Sequence, residues 1–244
     1  MYLSLDRIDV ELAAEGGGPR FLQTDHRTGD EIAARPALST VAALTRCLNP
    51  RRGNDQVDLV YYCQHEPPQF LREAVGICGA RVIVEDGVGG LTSAPEPAVP
   101  DKGKVSQLLD RAMRALALEV MTGAAEVLAI DALQGMERRF LEDEFPSEKD
   151  SIAFWGAVLE LAALASAAIS AAKPGSVWIY DPSATGTLPF NFRCTFRGEL
   201  ATVNPLGKAV KFLRGKGDGE DPSGLVAVLA SSDHPDDEER GVVH

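Results

Sequence analysis

Two of the four histidines stand beside carboxylates at the ends of runs that read as strands. One run leads into Asp25-His26-Arg27, a second into His65-Glu66, and a third into Glu85-Asp86. Two imidazoles and several carboxylates gathered at one sheet edge could hold a divalent cation and activate water for hydrolysis. Either His26 or His65 could otherwise work as a general base near neutral pH. The expected catalytic set is therefore Asp25, His26, His65, Glu66 and Asp86, with His26, His65 and Asp86 as the metal ligands. The set assembles only if the strands that carry it are parallel, because open α/β sheets place ligands at the carboxyl ends of their strands. A plainer origin competes with it, since strands commonly end in polar loops.

Other motifs lead to less. The loop from Asp181 to Thr187 has hydroxyls and a glycine, but lacks the lysine and spacing of a phosphate-binding loop. Gly87-Val-Gly-Gly90 follows a strand, yet no helix pattern opens after it, so the dinucleotide fingerprint fails on context. Ser183 has no G-x-S-x-G elbow around it. Cys47, Cys63, Cys78 and Cys194 form no C-x-x-C pair and sit in apolar stretches, as reduced core thiols do. No cofactor is expected. Lys208, Lys211 and Arg214 share one helical stripe, which suits an acidic partner or simply a solvated face. Arg51-Arg52 is too small for a nucleic-acid footprint.

The elements that must carry these groups follow from hydrophobic rhythm. Ile8, Val10 and Leu12 alternate with acids, and after Gly16–Gly18 the run from Arg20 to Thr24 is extended, giving a hairpin. A helical pattern from Asp30 must break or restart at Pro36 and runs to Asn49-Pro50. Val57–Cys63, a short helix around Leu71–Cys78, and Arg81–Glu85 make a βαβ unit with parallel strands. Residues 87–104 are rich in Gly and Pro without periodicity, which marks a joint.

Beyond the joint, Val105, Leu108, Leu109, Ala112, Leu116 and Val120 keep helical spacing. Asp131 with Gln134 resembles a capping box for the next helix. Residues 152–172 form an apolar, Ala-rich helix whose single charge is Glu160; its alanines and that central acid suit a buried core helix better than a membrane span. Then the period becomes two: Ser176–Tyr180, and Phe190, Phe192, Cys194 and Phe196 alternating with Asn191, Arg193, Thr195 and Arg197. Gly198 turns into Leu200–Val203. Asn204-Pro205 and Asp221-Pro222 start two last helices. The expected architecture is an α/β part over 1–90, a small mixed sheet with a βαβ unit. A linker over 91–104 joins it to an α+β part over 105–232, with three helices, an antiparallel sheet of about three strands and two terminal helices. An acidic tail occupies 233–244.

Charge narrows the partners. The chain has 244 residues and a net charge of -12. Its last twelve residues alone hold five acids and one base. Such an excess disfavours phosphate backbones and anionic membranes, and it fits a basic protein partner. The opening Met-Tyr-Leu-Ser-Leu-Asp-Arg is charged by Asp6, unlike a secretory leader, so the cytosol is the expected compartment. A bacterial-style immunity, adaptor or assembly protein that binds a basic partner is the first functional expectation. The metal-dependent hydrolase is the second.

Overall fold

A computed structural model of the chain describes residues 8–11, 20–25, 36–48, 57–63, 73, 74, 77, 81–84, 101–121, 128–143, 145–147, 151–183, 188–218 and 221–231. In chain order the elements are β1 (Ile8–Glu11), β2 (Arg20–Asp25), α1 (Pro36–Cys47), β3 (Val57–Cys63), β4 (Arg81–Val84), α2 (Lys102–Met121), α3 (Ala129–Glu142), α4 (Ser151–Ala172), β5 (Val177–Tyr180), β6 (Phe190–Phe196), β7 (Glu199–Val203), α5 (Pro205–Arg214) and α6 (Pro222–Ser231). From Lys102 onward the described chain is five helices and a three-stranded antiparallel sheet in the order β5-β6-β7. Before it, β1 pairs antiparallel with β2, while β2, β3 and β4 pair in parallel.

The clearest period-two run in the chain is strand β6. Phe190, Phe192 and Cys194 are buried on one face, and Arg193 and Thr195 are exposed on the other. Trp178 packs against Phe192 with ring centroids 5.3 Å apart, and Tyr180 against Phe190 at 6.3 Å. This aromatic face closes one side of a core centred on α4, where Val158, Leu161, Ala162, Ala165 and Ile169 are buried. Small alanines let α2, α3, α5 and α6 all approach that helix. It is the one helix among the described residues long and apolar enough to cross a membrane. Burial of 72% of its apolar window makes it a core helix here.

Two helix starts differ from expectation, and a third is capped by a remote side chain. α2 begins at Lys102, inside the segment expected as linker, because the Asp101 carboxylate accepts the Lys104 N–H at 2.8 Å and caps it. α3 begins at Ala129 with Leu128 at its N-cap position and no side-chain cap, so Asp131 lies in the first turn rather than heading a capping box. There it still favours the positive end of the helix dipole. α6 begins at Pro222 as expected, but its first free amide, Ser223 N–H, is taken at 2.8 Å by Glu137 of α3. By contrast Asn204 caps α5 locally, accepting the Gly207 N–H at 2.8 Å.

α1 uses the same remote device. Its amides at Ala37 and Leu38 donate to the two carboxylate oxygens of Glu119 on α2, at 2.7 and 3.4 Å. Leu38, Val41 and Leu44 of α1 are buried in one core with Leu109, Ala112 and Leu116 of α2.

Helix α2 also seals one side of the sheet. Ser106, Asp110 and Arg114 stand at i, i+4 and i+8, one stripe of the helix. The Tyr180 N–H donates to Ser106 Oγ at 2.9 Å and the Trp178 N–H to Asp110 Oδ1 at 2.9 Å. Arg114 Nη2 donates to the Ser176 carbonyl at 2.7 Å, held in place by Nε on Asp110 Oδ2 at 2.8 Å. Three side chains thus stand where a fourth strand would otherwise bond.

Candidate functional site

The expected histidine and carboxylate set falls almost wholly on residues outside those described. Asp25 is the last residue of β2. His26, His65, Glu66 and Asp86 lie outside the described residues, as do Arg51, Arg52, the glycines at 87–90 and the tail from 233. What the backbone supplies is strand direction. β2, β3 and β4 run parallel, so Asp25 and the chain exits after Cys63 and Val84 lie toward one edge of their sheet. Among the described residues no three His, Cys, Asp or Glu side chains gather closely enough to hold a metal ion.

Past the joint, two of the groups singled out from sequence, Ser183 and Cys194, sit in structural roles. Ser183 donates both its N–H and its Oγ to Asp181 Oδ1, at 3.1 and 2.6 Å. These bonds, with Lys102 at 3.6 Å, hold the Asp181 carboxyl below its ordinary value. The Ser183 N–H bond makes an Asx turn, and the hydroxyl that donates to the same oxygen is a turn contact rather than an activated nucleophile. Cys194 is buried under the sheet; burial pushes its thiol up, opposed by the nearby Lys173 charge, so it is a packing residue. On α5, Lys211 and Arg214 are exposed and Lys208 is half-buried.

An open groove of about 640 Å³ lies between α3, the end of α5 and the start of α6, lined by Gln134, Glu137, Arg138, Leu141, Phe212, Gly217 and Asp221. Gly217 has φ +82°, a left-handed conformation that favours glycine, and a Cβ there would displace the exposed end of Leu141. Glu137 is 6% exposed. Burial raises its carboxyl above the ordinary range, the Ser223 hydrogen bonds pull it back, and the Asp221 charge pushes the same way as burial. Since Glu137 caps α6, its first task is to start that helix.

Sequence reading passed over Glu137, although a signal existed. It shares the apolar stripe of α3 with Leu133 and Met136, both buried, and an acid on such a stripe needs a partner. Ser106, Asp110 and Arg114 were equally invisible as a set, because a polar stripe on a helix ordinarily faces water.

Comparison with protein-family models, with curated proteins and with solved structures gives no match for this chain.

Proposed function

We propose that this chain is a protein-binding accessory, of adaptor, assembly or immunity type, whose acidic surface receives a basic partner protein. The observation that carries the reading is the net charge of -12 over 244 residues. A field of that sign steers a basic partner into encounter and rejects anionic ones. In this reading an α/β part over 1–90 and an α+β part over 105–232 form two units joined by residues 91–104, and the protein works in the cytosol. The free, buried thiol of Cys194 fits that compartment. The test is capture of basic protein partners from the source cell at low and at high ionic strength. Affinity is expected to fall steeply as salt rises, and a complex indifferent to salt removes the electrostatic basis.

A second reading is a metal-dependent hydrolase built on Asp25, His26, His65, Glu66 and Asp86. The parallel pairing of β2, β3 and β4 favours it, since that is the arrangement such a site requires. Elemental analysis of the purified protein checks it. A stoichiometric divalent metal lost on substituting His26 and His65 supports the site, and metal-free protein that takes up none on titration refutes it.

A further inference from the structure

The cations of α5 and the acids of the tail are matched in number and close in sequence. Residues 204–217 hold Lys208, Lys211, Arg214 and Lys216 and no acid, in a chain whose net charge is -12. Leu206, Ala209, Val210, Phe212 and Leu213 form the buried side of α5. At about 3.6 residues per turn, Lys208, Lys211 and Arg214 fall on the opposite side. Lys211, Arg214 and Lys216 are exposed. Against these four positive charges, residues 233–244 carry Asp233, Asp236, Asp237, Glu238 and Glu239 with Arg240, a net charge of five acids less one base, -4. The connection between the two groups is short. α6 packs against α5 and ends at Ser231. Two ten-residue helices are each about 15 Å long with axes about 8–10 Å apart, so all of α5 lies within roughly 25 Å of Ser231. Residues 236–239 stand five to eight positions past Ser231, a reach of roughly 17–27 Å in extended chain.

We propose that the acids of 233–239 close onto the exposed cations of α5 as an intramolecular latch, which a basic partner must displace to reach the tail. Its regulatory meaning rests on the basic-partner reading; the contact itself rests on charge and reach. Tethering favours this chain's own tail over a separate acidic segment, because so short a connection holds it at an effective concentration in the millimolar range, on the order of that for short linkers. A second copy brings a charge of -12 to another of -12. Lys208, Lys211 and Arg214 already make contacts of their own, but ion pairs at an exposed surface are weak enough to exchange. For the same reason the latch is reversible and yields to salt.

The full chain, isotope-labelled for NMR, is compared with a tail variant combining Asp236→Asn, Asp237→Asn, Glu238→Gln and Glu239→Gln. At low ionic strength the variant is expected to shift the amides of Lys211, Arg214 and Lys216, and raising the salt around the wild type should move them the same way. A peptide of seven lysines then reads what the latch withholds. Lys211→Gln with Arg214→Gln is expected to raise its affinity about threefold to tenfold over Arg139→Gln with Arg193→Gln, two exposed arginines whose loss changes the net charge equally. Should the α5 variant fold poorly, the tail variant reports the same contact from the other side, through substitutions outside every described element. Amides of α5 that ignore the loss of the tail acids overturn the latch, as do shifts that grow with protein concentration, the mark of contact between copies. Equal peptide affinity of the two glutamine variants overturns it too. Salt-dependent peptide binding with α5 amides unmoved refutes the latch while leaving the basic-partner reading intact. A lysine peptide that binds no form of the chain sinks that reading, and the amide shifts alone then decide the latch.

Discussion

Asp110→Ala probes the sealed edge most directly. The Asp110 carboxylate accepts the Trp178 N–H at 2.9 Å, and it holds Arg114 at 2.8 Å so that Nη2 reaches the Ser176 carbonyl. Trp178 is 2% exposed, so its amide loses an ionised acceptor and has poor access to water, a loss of about 1.5–3 kcal/mol. The Arg114–Asp110 pair is worth less, about 0.3–0.5 kcal/mol, because the guanidinium side chain is 47% exposed and screened. The two together give about 2–3.5 kcal/mol. Asp110→Asn keeps an acceptor for Trp178 but sets an amide NH2 against the Arg114 Nε–H, so it loses the Arg114 bond with the charge and about 1–2 kcal/mol is expected. Urea unfolding followed by tryptophan fluorescence measures both, with the slope checked for constancy. Amide exchange at Trp178 should accelerate in the alanine variant and much less in the asparagine one. An Asp110→Ala chain within about 0.5 kcal/mol of wild type, with Trp178 exchange unchanged, refutes the idea that this side chain substitutes for a strand.

Three more outcomes are expected. Because burial raises the folded-state carboxyl of Glu137, the stability held in its protonated form is complete below the unfolded value and is lost as pH rises through the folded one. Wild type should therefore lose stability relative to Glu137→Gln as pH rises from the ordinary glutamate range through the raised folded value, as chemical denaturation at a series of pH values would show, and a flat difference contradicts the burial. Gly198→Ala forces a side chain to φ +77° and should cost about 1–2 kcal/mol, whereas Arg197→Asn, better suited to its +49°, should gain a few tenths; paired thermal melts compare them. Phe192→Ala, which empties the space beside Trp178, should cost about 3–5 kcal/mol in the same urea assay.

What was legible in the sequence was local. The alternation over Phe190–Phe196 fixes β6 and its buried face, and Asn204-Pro205 marks the start of α5, because strand pleat and proline geometry act within a few residues. The start of α2 was obscured because Asp101, its cap, follows three prolines and precedes Lys102, Gly103 and Lys104, none of which shows an apolar period. The sealed edge was out of reach for a different reason. Ser106, Asp110 and Arg114 bond to residues 62 to 74 positions away, and nothing in a polar helical stripe distinguishes a backbone target from water. For the histidine and carboxylate set, the sequence showed the strand ends and the parallel run of β3 and β4, but not the direction of β2, since a hairpin and a crossover share the same apolar runs.

The remote carboxylates that start α1 and α6 have a temporal consequence. Each of these helices opens on a proline, and each has its first free amides claimed by a glutamate more than 80 positions distant, Glu119 or Glu137. At twelve and ten residues both are too short to persist alone in water. They are therefore expected to form only after α2 and α3 have presented their carboxylates. Excised as peptides they should be coil, and in the refolding chain they should acquire exchange protection late, since long loops must close before their first turns gain a partner.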